Sequence, residues 1–572
     1  MVSADALLEA LDDEQRRAAE ALLGPVCLLA GAGTGKTRAI THRIAYGVAT
    51  GVYPPGRVMA LTFTTRAAGE LRSRLRALGT AGVSARTFHS AALSQLSYFW
   101  PQLVGGSLPK LVESKGRLLA HAVDGMRLKL DTATLRDLAS EIEWRKVSGL
   151  TIEEYERAAH TRVLPGGLTP DRAAQVQLAY ENLKDERRQL DFEDVLLATA
   201  GMIEQEPRVA QQVREQYRFF VVDEYQDVSP LQHQLLELWL GDRDDVCVVG
   251  DASQTIYSFA GASSDYLLGF PSKHDRAVVI RLEQNYRSTP AIVDTANRLM
   301  RGRAGALDLA SAADVRGPEP SISSHPHDSA EARAVAQQIK TLVEQGEKPE
   351  SIAVLYRINV QAAALESALS DAGVSYQVRG ATRFFERREV REALMMLKGA
   401  SVSIMDEPLF KTVSDVLRSL GWSQQAPEAR GAVREKWEAL DAIMGLAEQA
   451  PAGTTLREFV DDLFARQATQ HEPTVSAVTL ATLHSAKGLE WDTVFLVGLS
   501  EGLVPISYAK GFDAIDEERR LMYVGITRAR RRLQLSWAEQ GMHRQTMRQP
   551  SRFLAELRPS TRTRDAVPTS AG

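Results

Sequence analysis

Two short stretches carry residue types and spacings suited to chemistry on a phosphate chain. Residues 28–40 read LLAGAGTGKTRAI, and residues 219–227 read FFVVDEYQD. In the first, an apolar run enters a turn of small residues, followed by Lys36, Thr37 and a helical pattern. Glycines at 31, 33 and 35 let backbone N–H groups point inward and cradle phosphates at the positive end of a helix. Ala30, Ala32 and Thr34 complete the loop. Ala30 stands where the strict pattern has glycine, and a small residue still fits there. Lys36 suits the β and γ phosphates, and the Thr37 hydroxyl suits Mg²⁺. In the second stretch, an apolar run delivers Asp223 and Glu224 to its carboxyl end. Asp223 suits Mg²⁺ coordination through water, and Glu224 suits activation of the attacking water. Alone, each stretch also reads as a chance glycine-rich turn or a strand ending in an acidic turn. Paired, they predict a nucleotide-hydrolysing site. Arg287 in LEQNYRS and Arg528 in YVGITRA are candidates for the positive charge at the transition state. A single arginine is ordinarily a solvated surface charge, so their assignment rests on the resemblance below.

Short apolar runs must position these residues. In order they are VCLLA (26–30), VMALTF (58–63), FFVVDE (219–224), VCVVGD (246–251), AVVIRLEQN (277–285), SIAVLYR (351–357), VTLATLH (478–484), TVFLVGL (493–499) and LQLSWA (533–538). Continuous Val, Leu and Ile runs separated by helical patterns predict parallel sheets covered on both faces. Active residues then belong at the carboxyl ends of the strands. The runs fall into two sets, each interrupted by a mostly helical region, one between 64 and 218 and one over about 389–473. Residues 301–320 read as a loop, and the tail PSTRTRDAVPTSAG reads as disordered.

At 572 residues, the chain is too long for one core. It is 44% hydrophobic and 25% charged, ordinary for a soluble globular protein. No run approaches the roughly 20 apolar residues of a bilayer span, and the first residues lack the pattern of a signal peptide. A cytoplasmic protein is expected. Cys27 and Cys247, the only two cysteines, each sit in an apolar run and read as buried strand residues. Two thiols exclude a disulfide scaffold, a zinc site of several cysteines and an iron–sulfur cluster. The net charge of −5 excludes a polybasic coat, so any nucleic acid must be held by local clefts.

The chain resembles the superfamily 1A DNA helicases, the UvrD/PcrA/Rep group, over residues 8–556. The motifs LDDEQRRA, AGAGTGKT, LTFTTRAAGEL, TFHS, LDFEDVL, VVDEYQD, VGDASQTIYSFAGA, LEQNYRS, IAVLYR, GATRFFERREV, TLHSAKGLEW and DEERRLMYVGITRAR occur in family order. The resemblance implies an α/β protein with two RecA-like P-loop domains, each a parallel sheet interrupted by a helical insertion. The expected layout is a first domain over 1–90 and 191–275 with an insertion over 91–190. A second domain spans 276–388 and 474–560 with a reduced insertion over 389–473, and a disordered tail covers 561–572. The resemblance further implies that Gln15 reads the adenine edge and that Arg38 and Tyr286 flank its ring. Gln254 then senses the γ phosphate, Glu490 contacts the ribose, and Arg287 and Arg528 are arginine fingers. ATP and Mg²⁺ are the implied cofactors.

A single strand is held by a cationic groove and aromatic faces. Candidates are Phe63, Thr64 and Arg66 in TFTTR, His89 in TFHS, Tyr257 and Phe259 in IYSFAGA, and His484 in TLHSAKG. Phe63 and Phe259 follow strand ends on the cleft side and suit base stacking. His89 and His484 read equally as histidines satisfying backbone groups inside the fold. Arginines of TRARRRL beyond Arg528 read as a solvated face or as weak phosphate contacts. Two departures stand out. Where the family has Trp then Arg, this chain has Phe259 then Ala260, which removes one contact between nucleotide and DNA track. The second insertion is also short, about ninety residues. Actinobacterial relatives can carry a cysteine-rich linker and a helicase-and-RNase-D-type module, and the resemblance implies either a naturally short form lacking them or a truncated chain. The expected activity is 3′-to-5′ movement on single-stranded DNA and unwinding of 3′-tailed duplex, in repair or replication maintenance at the nucleoid. The alternative is a DNA-stimulated translocase that displaces proteins and unwinds poorly alone. Repair proteins or self-association are the expected partnerships, with no membrane.

Overall fold

The computed structural model describes residues 3–379, 384–403, 407–428, 432–451, 453–468, 477–541 and 547–558. The tail expected to be disordered, 561–572, and the first four residues of GATRFFERREV lie outside the described residues.

Two six-stranded sheets organise the chain. The first holds β1 (Val26–Ala30), β2 (Val58–Thr62), β3 (Ser84–Thr87), β4 (Phe219–Val222), β5 (Val246–Gly250) and β6 (Val278–Leu282), in the order β3-β2-β4-β5-β1-β6. The second holds β7 (Ser321–His325), β8 (Ile352–Tyr356), β9 (Tyr376–Arg379), β10 (Val478–Thr482), β11 (Trp491–Leu496) and β12 (Ala529–Ala538), in the order β7-β12-β11-β8-β10-β9. Every pairing in both sheets is parallel. The central strands are buried along their length, as expected where helices cover both faces. Cys27 and Cys247 are buried neighbours on β1 and β5.

The run at 277–285, expected in the second domain from residue 276, instead supplies β6, which pairs with β1 at the edge of the first sheet. An apolar run shows that a strand exists but not which neighbour it pairs with. The chain leaves the first lobe only after Leu282.

The first insertion also starts later than residue 91. Helix α1 (Phe88–Leu103) packs Phe88, Ala91, Ala92 and Phe99 into the first lobe's core, beside Val195 and Leu196 of α6 (Phe192–Gln205). Four helices between them, α2 (Lys115–Gly125), α3 (Thr132–Val147), α4 (Ile152–Ala159) and α5 (Pro170–Glu186), enclose small cores of their own. A short parallel pair, Lys110–Leu111 with Gln189–Leu190, closes the neck. Buried Lys146 of α3 ties this body to the first lobe, 2.7 Å from both Asp191 and Asp194. The second helical body comprises α7 (Arg388–Ser403), α8 (Leu409–Ser419), α9 (Ala432–Gln449) and α10 (Leu456–Ala468) around another core. It touches the first body where Asp137 accepts a 2.9 Å hydrogen bond from the Val433 backbone and Lys436 meets Asp131 at 2.8 Å.

Strands β3, β7 and β9 were not read from the sequence. SART, SISSH and YQVR are short, polar and lie at or next to sheet edges, so they carry no apolar run. Part of the loop read over 301–320 pairs, with Ala310–Ser311 beside Gln284–Asn285.

Candidate nucleotide and nucleic-acid site

The phosphate loop lies between β1 and the helix Lys36–Ala49, at the carboxyl edge of the first sheet. Gly33 and Gly35 take φ of 74° and 76°, the left-handed region where a side chain is strained. A segment from beyond β6 docks onto this loop. The Asn285 side-chain amide donates to the Ala32 carbonyl at 2.6 Å, and the Tyr286 N–H donates to the Gly33 carbonyl at 2.9 Å. Asn285 Oδ1 accepts from the N–H groups of Arg287 and Ser288 at 2.9 and 2.8 Å. Asn285 thus sets Arg287 against the loop. A Cβ at Gly33 lies 2.6 Å from Asn285 Nδ2 and 2.8 Å from Arg287 Cβ. Gly33→Ala should therefore weaken nucleotide binding by roughly tenfold or more through a displaced loop, measured by titration with a fluorescent ATP analogue.

The acidic pair closes over Lys36. Asp223 and Glu224 follow β4, and Glu224 is held at φ 54°, ψ 39°, one of three non-glycine residues with positive φ among the described residues. Such backbone strain persists where surrounding structure enforces it, often at functional positions. The Lys36 ammonium hydrogen-bonds the Glu224 carboxylate and lies 3.4 Å from Asp223. Asp223 Oδ1 accepts the Glu224 N–H at 2.9 Å, and Gln226 donates to the other Glu224 oxygen at 2.5 Å. Burial opposes the Lys36 charge, but the two carboxylates outweigh it and hold its pKa up. Burial likewise opposes the Glu224 charge, and Lys36 followed by Lys487 overcomes it, holding the carboxyl down at about 2. Burial raises Asp223.

Thr37 sits half-buried in the first turn of the same helix. Among the described residues no cluster of three or more His, Cys, Asp or Glu could hold a metal by itself. One hydroxyl and one carboxylate beside the phosphate loop match Mg²⁺, which binds few protein oxygens and shares the remainder with phosphates and water.

The second lobe supplies the opposite wall. Arg287 Nε donates to Glu490 at 2.5 Å and its Nη1 to the Thr527 carbonyl at 3.1 Å. Arg530 holds the other Glu490 oxygen. Arg528 is buried, donating to the carbonyls of Val524 and Leu489 at 2.9 and 3.0 Å and to the Thr527 hydroxyl at 3.1 Å. Burial, then the neighbouring Arg287 charge, pushes its pKa down. Gln254 hydrogen-bonds Asp251 at 2.8 Å. Lys487 crosses from the second lobe to Asp227 and to the Gln254 carbonyl at 2.8 Å. Lys36, Asp223, Glu224, Gln254, Arg287 and Arg528 all line one cavity of about 1370 Å³. Gln15, Arg38, Tyr286 and Glu490 line it too. Gln15 is buried, with its amide donating to the Thr34 carbonyl at 3.0 Å. Arg38 reaches the Ala10 carbonyl, and the Tyr286 hydroxyl donates to Asp12 at 2.5 Å.

The expected strand-binding residues divide into three groups. Tyr257, Phe259 and His484 form an aromatic cluster, with ring centroids 6.0–6.5 Å apart. Despite these contacts Phe259 is 68% exposed, leaving ring surface open to a base. Burial, then Arg357 and Lys487, pushes His484 down to about 3, so it meets any ligand as a neutral ring. Phe63, Thr64 and Arg66 lie at the cavity rim, and the Thr64 hydroxyl is engaged in capping the following helix. His89 lies apart from both groups. Its ring meets exposed Phe192 edge-on at 5.7 Å, and burial lowers its pKa, followed by Lys115. Truncating Phe259 to alanine should weaken single-strand binding by about 1–3 kcal/mol, read by fluorescence anisotropy with an oligo-dT probe.

Sequence reasoning missed Asn285, Arg530, Lys487 and Phe192. All four stand inside recognised motifs, but their roles depend on contacts made across the cleft, within the second lobe or at the insertion's neck.

Family comparisons agree with this geometry. The UvrD/REP helicase N-terminal domain matches residues 11–275, and the UvrD-like helicase C-terminal domain matches 280–426 and 407–540. The chain is 48% identical to ATP-dependent DNA helicase UvrD2 of Mycobacterium tuberculosis over 99% of its own length and 84% of that protein. It is 32% identical to DNA helicase II of Escherichia coli, covering 96% of the chain and 88% of the relative. It is 29% identical to ATP-dependent DNA helicase PcrA of Bacillus subtilis, covering 96% and 86%. With a P-loop and acidic pair on one parallel lobe, arginines from a second, and matches spanning both, the chain belongs to the UvrD/Rep helicase family.

Proposed function

We propose that this chain is an ATP-dependent DNA helicase that moves 3′ to 5′ on single-stranded DNA and opens 3′-tailed duplex. The observation that carries the reading is the shared cavity. Lys36, Asp223 and Glu224 of one lobe face Arg287 and Arg528 of the other across a space able to take a nucleotide. The loop that brings Gln254 to this cavity continues directly into Tyr257 and Phe259.

The resting charges are paired with one another: Lys36 with Glu224, Arg287 with Glu490, and Lys487 with Asp227. An incoming triphosphate offers Lys36 and Arg287 better anionic partners. Transfer of Lys36 to the phosphates frees one Glu224 oxygen, the other still held by Gln226, to accept a proton from water. Arg287 and Arg528 then contribute charge from the second lobe, which draws the lobes together. Thr37 and Asp223 are the residues suited to hold Mg²⁺, which supplies charge neutralisation on the phosphates when bound. On the family resemblance Gln15, Arg38 and Tyr286 meet the base and Glu490 the sugar, and all four line the same cavity. Release after hydrolysis lets the lobes part. Repetition of that cycle on a strand gripped by Phe63 and Phe259 is directional movement.

The test compares strand release from forks carrying a 3′ or a 5′ tail. Release should occur only with the 3′ tail, and Lys36→Ala should reduce both ATP turnover and release at least 10³-fold. Release confined to the 5′ tail would reverse the polarity. Robust DNA-stimulated hydrolysis with no release from either fork would instead support a translocase, a reading favoured by the bare Ala260 beside Phe259.

A further inference from the structure

The loop 254–260 belongs to the first lobe, yet it is gripped by a helix of the second, α11 (Phe512–Ile526). Glu517 accepts the Ser258 backbone N–H at 3.1 Å and also the Ser258 hydroxyl. Arg520, one turn on, donates from Nε to the Thr255 carbonyl at 2.8 Å. Asp516 holds Arg520 in that pose at 2.7 Å and is itself 3.6 Å from Arg303. The two grips bracket the buried Ile256, which packs in the same core as Met522 and Tyr523 of α11.

The far end of α11 is at the nucleotide. Tyr523 packs beside Ala32 of the phosphate loop, and the helix runs straight into Thr527 and Arg528. Glu517 and the last helical residue, Ile526, are separated by about 14 Å along the axis at ~1.5 Å per residue, and Arg528 follows two residues on. A rigid helix therefore has an arginine in the nucleotide cavity at one end and holds the Phe259 loop at the other. Ala260 itself offers no polar group to link the loop to the nucleotide.

We propose that Glu517 and Arg520 are positioning residues that transmit the state of the nucleotide cavity, through α11, to the base-stacking loop carrying Phe259. The proposal rests on the helicase reading above. When Arg528 moves toward a triphosphate, α11 moves with it, and the hydrogen bonds at Ser258 and Thr255 carry Phe259 along. Neither residue touches nucleotide or DNA in this role. Both lie on the second lobe while their partners lie on the first, so the contacts cross the boundary at which the lobes move.

The experiment uses the full chain and a dT oligonucleotide carrying one 2-aminopurine, whose fluorescence reports stacking. Wild type, Glu517→Ala, Arg520→Ala and the conservative Glu517→Gln are compared. Wild-type stimulation of ATP hydrolysis by the oligonucleotide is the control. Its absence would defeat the helicase reading rather than the coupling route. In wild type, the non-hydrolysable analogue adenylyl imidodiphosphate should change the 2-aminopurine signal. In Glu517→Ala and Arg520→Ala that change should be lost and the stimulation of turnover by DNA should fall at least tenfold. DNA-free turnover and analogue affinity should stay within about twofold. Glu517→Gln keeps an oxygen for the Ser258 N–H and should recover at least half of the wild-type response. The route is wrong if both alanine variants retain the wild-type fluorescence change. It is equally wrong if DNA-free and stimulated turnover fall in parallel with thermal stability, including in Glu517→Gln, since that is the signature of a merely structural contact.

Discussion

Arg528→Ala should lower DNA-stimulated ATP turnover by about 10³-fold or more while leaving ATP affinity within roughly tenfold. The guanidinium is buried at the end of α11 and spends three of its five N–H groups on Val524, Leu489 and Thr527. Those three bonds fix its plane and leave two N–H groups available to an anion in the cavity it lines. Burial and the adjacent Arg287 disfavour its charge in the resting cleft. Terminal phosphoryl oxygens relieve that unfavourable field, and most strongly when charge builds on them during transfer. The interaction is therefore worth more in the transition state than in the ground state, which is the condition for raising turnover. Arg528→Lys keeps the charge but cannot reproduce the planar set of donors, so it should recover little of the loss. Steady-state kinetics with saturating oligo-dT, alongside thermal melting to confirm folding, check this. A loss expressed wholly in KM, with turnover unchanged, would remove Arg528 from the transition state.

Glu224→Gln should reduce turnover by about 10²–10⁴-fold and should leave the nucleotide bound at least as tightly as in wild type. The carboxylate pairs with Lys36, and its pKa is held down at about 2, so it is ionised throughout the physiological range. Its left-handed backbone is unaltered by an isosteric amide. The substitution removes the proposed proton acceptor and, at the same time, releases Lys36 from a competing anion. Binding and chemistry should thus separate: slower hydrolysis, unchanged or improved affinity. A single-turnover assay reads the first and equilibrium titration with an ATP analogue the second. Turnover within a few fold of wild type would mean that another group activates the water.

The phosphate loop, the acidic pair and most central strands were legible in the sequence because their chemistry is local. A glycine turn, a following Lys-Thr and a Val-rich run each specify their own conformation through neighbours in the chain. The cross-cleft contacts were not. Lys487 reaching Gln254, Asn285 seating the loop at Ala32, and Glu517 holding Ser258 join residues more than 200 positions apart. No periodicity encodes such a pairing. The misplaced strand Val278–Leu282 has the same cause, since an apolar run looks alike in either sheet. The edge strands SART and SISSH lacked even that signal, because an exposed edge needs no apolar face. Phe259 was expected to stack on bases from its place after a strand on the cleft side, and it is exposed. Phe192 carried no such cue, and its exposure is visible only in the folded chain.

The relation between the two lobes is the feature on which all of this depends. It is tested most directly by ATP turnover titrated with oligo-dT. A saturable rise of tenfold or more is expected, with Phe259→Ala shifting the half-saturating DNA concentration upward and leaving DNA-free turnover unchanged. Turnover indifferent to added single strands, at any concentration up to the millimolar range, would contradict the account.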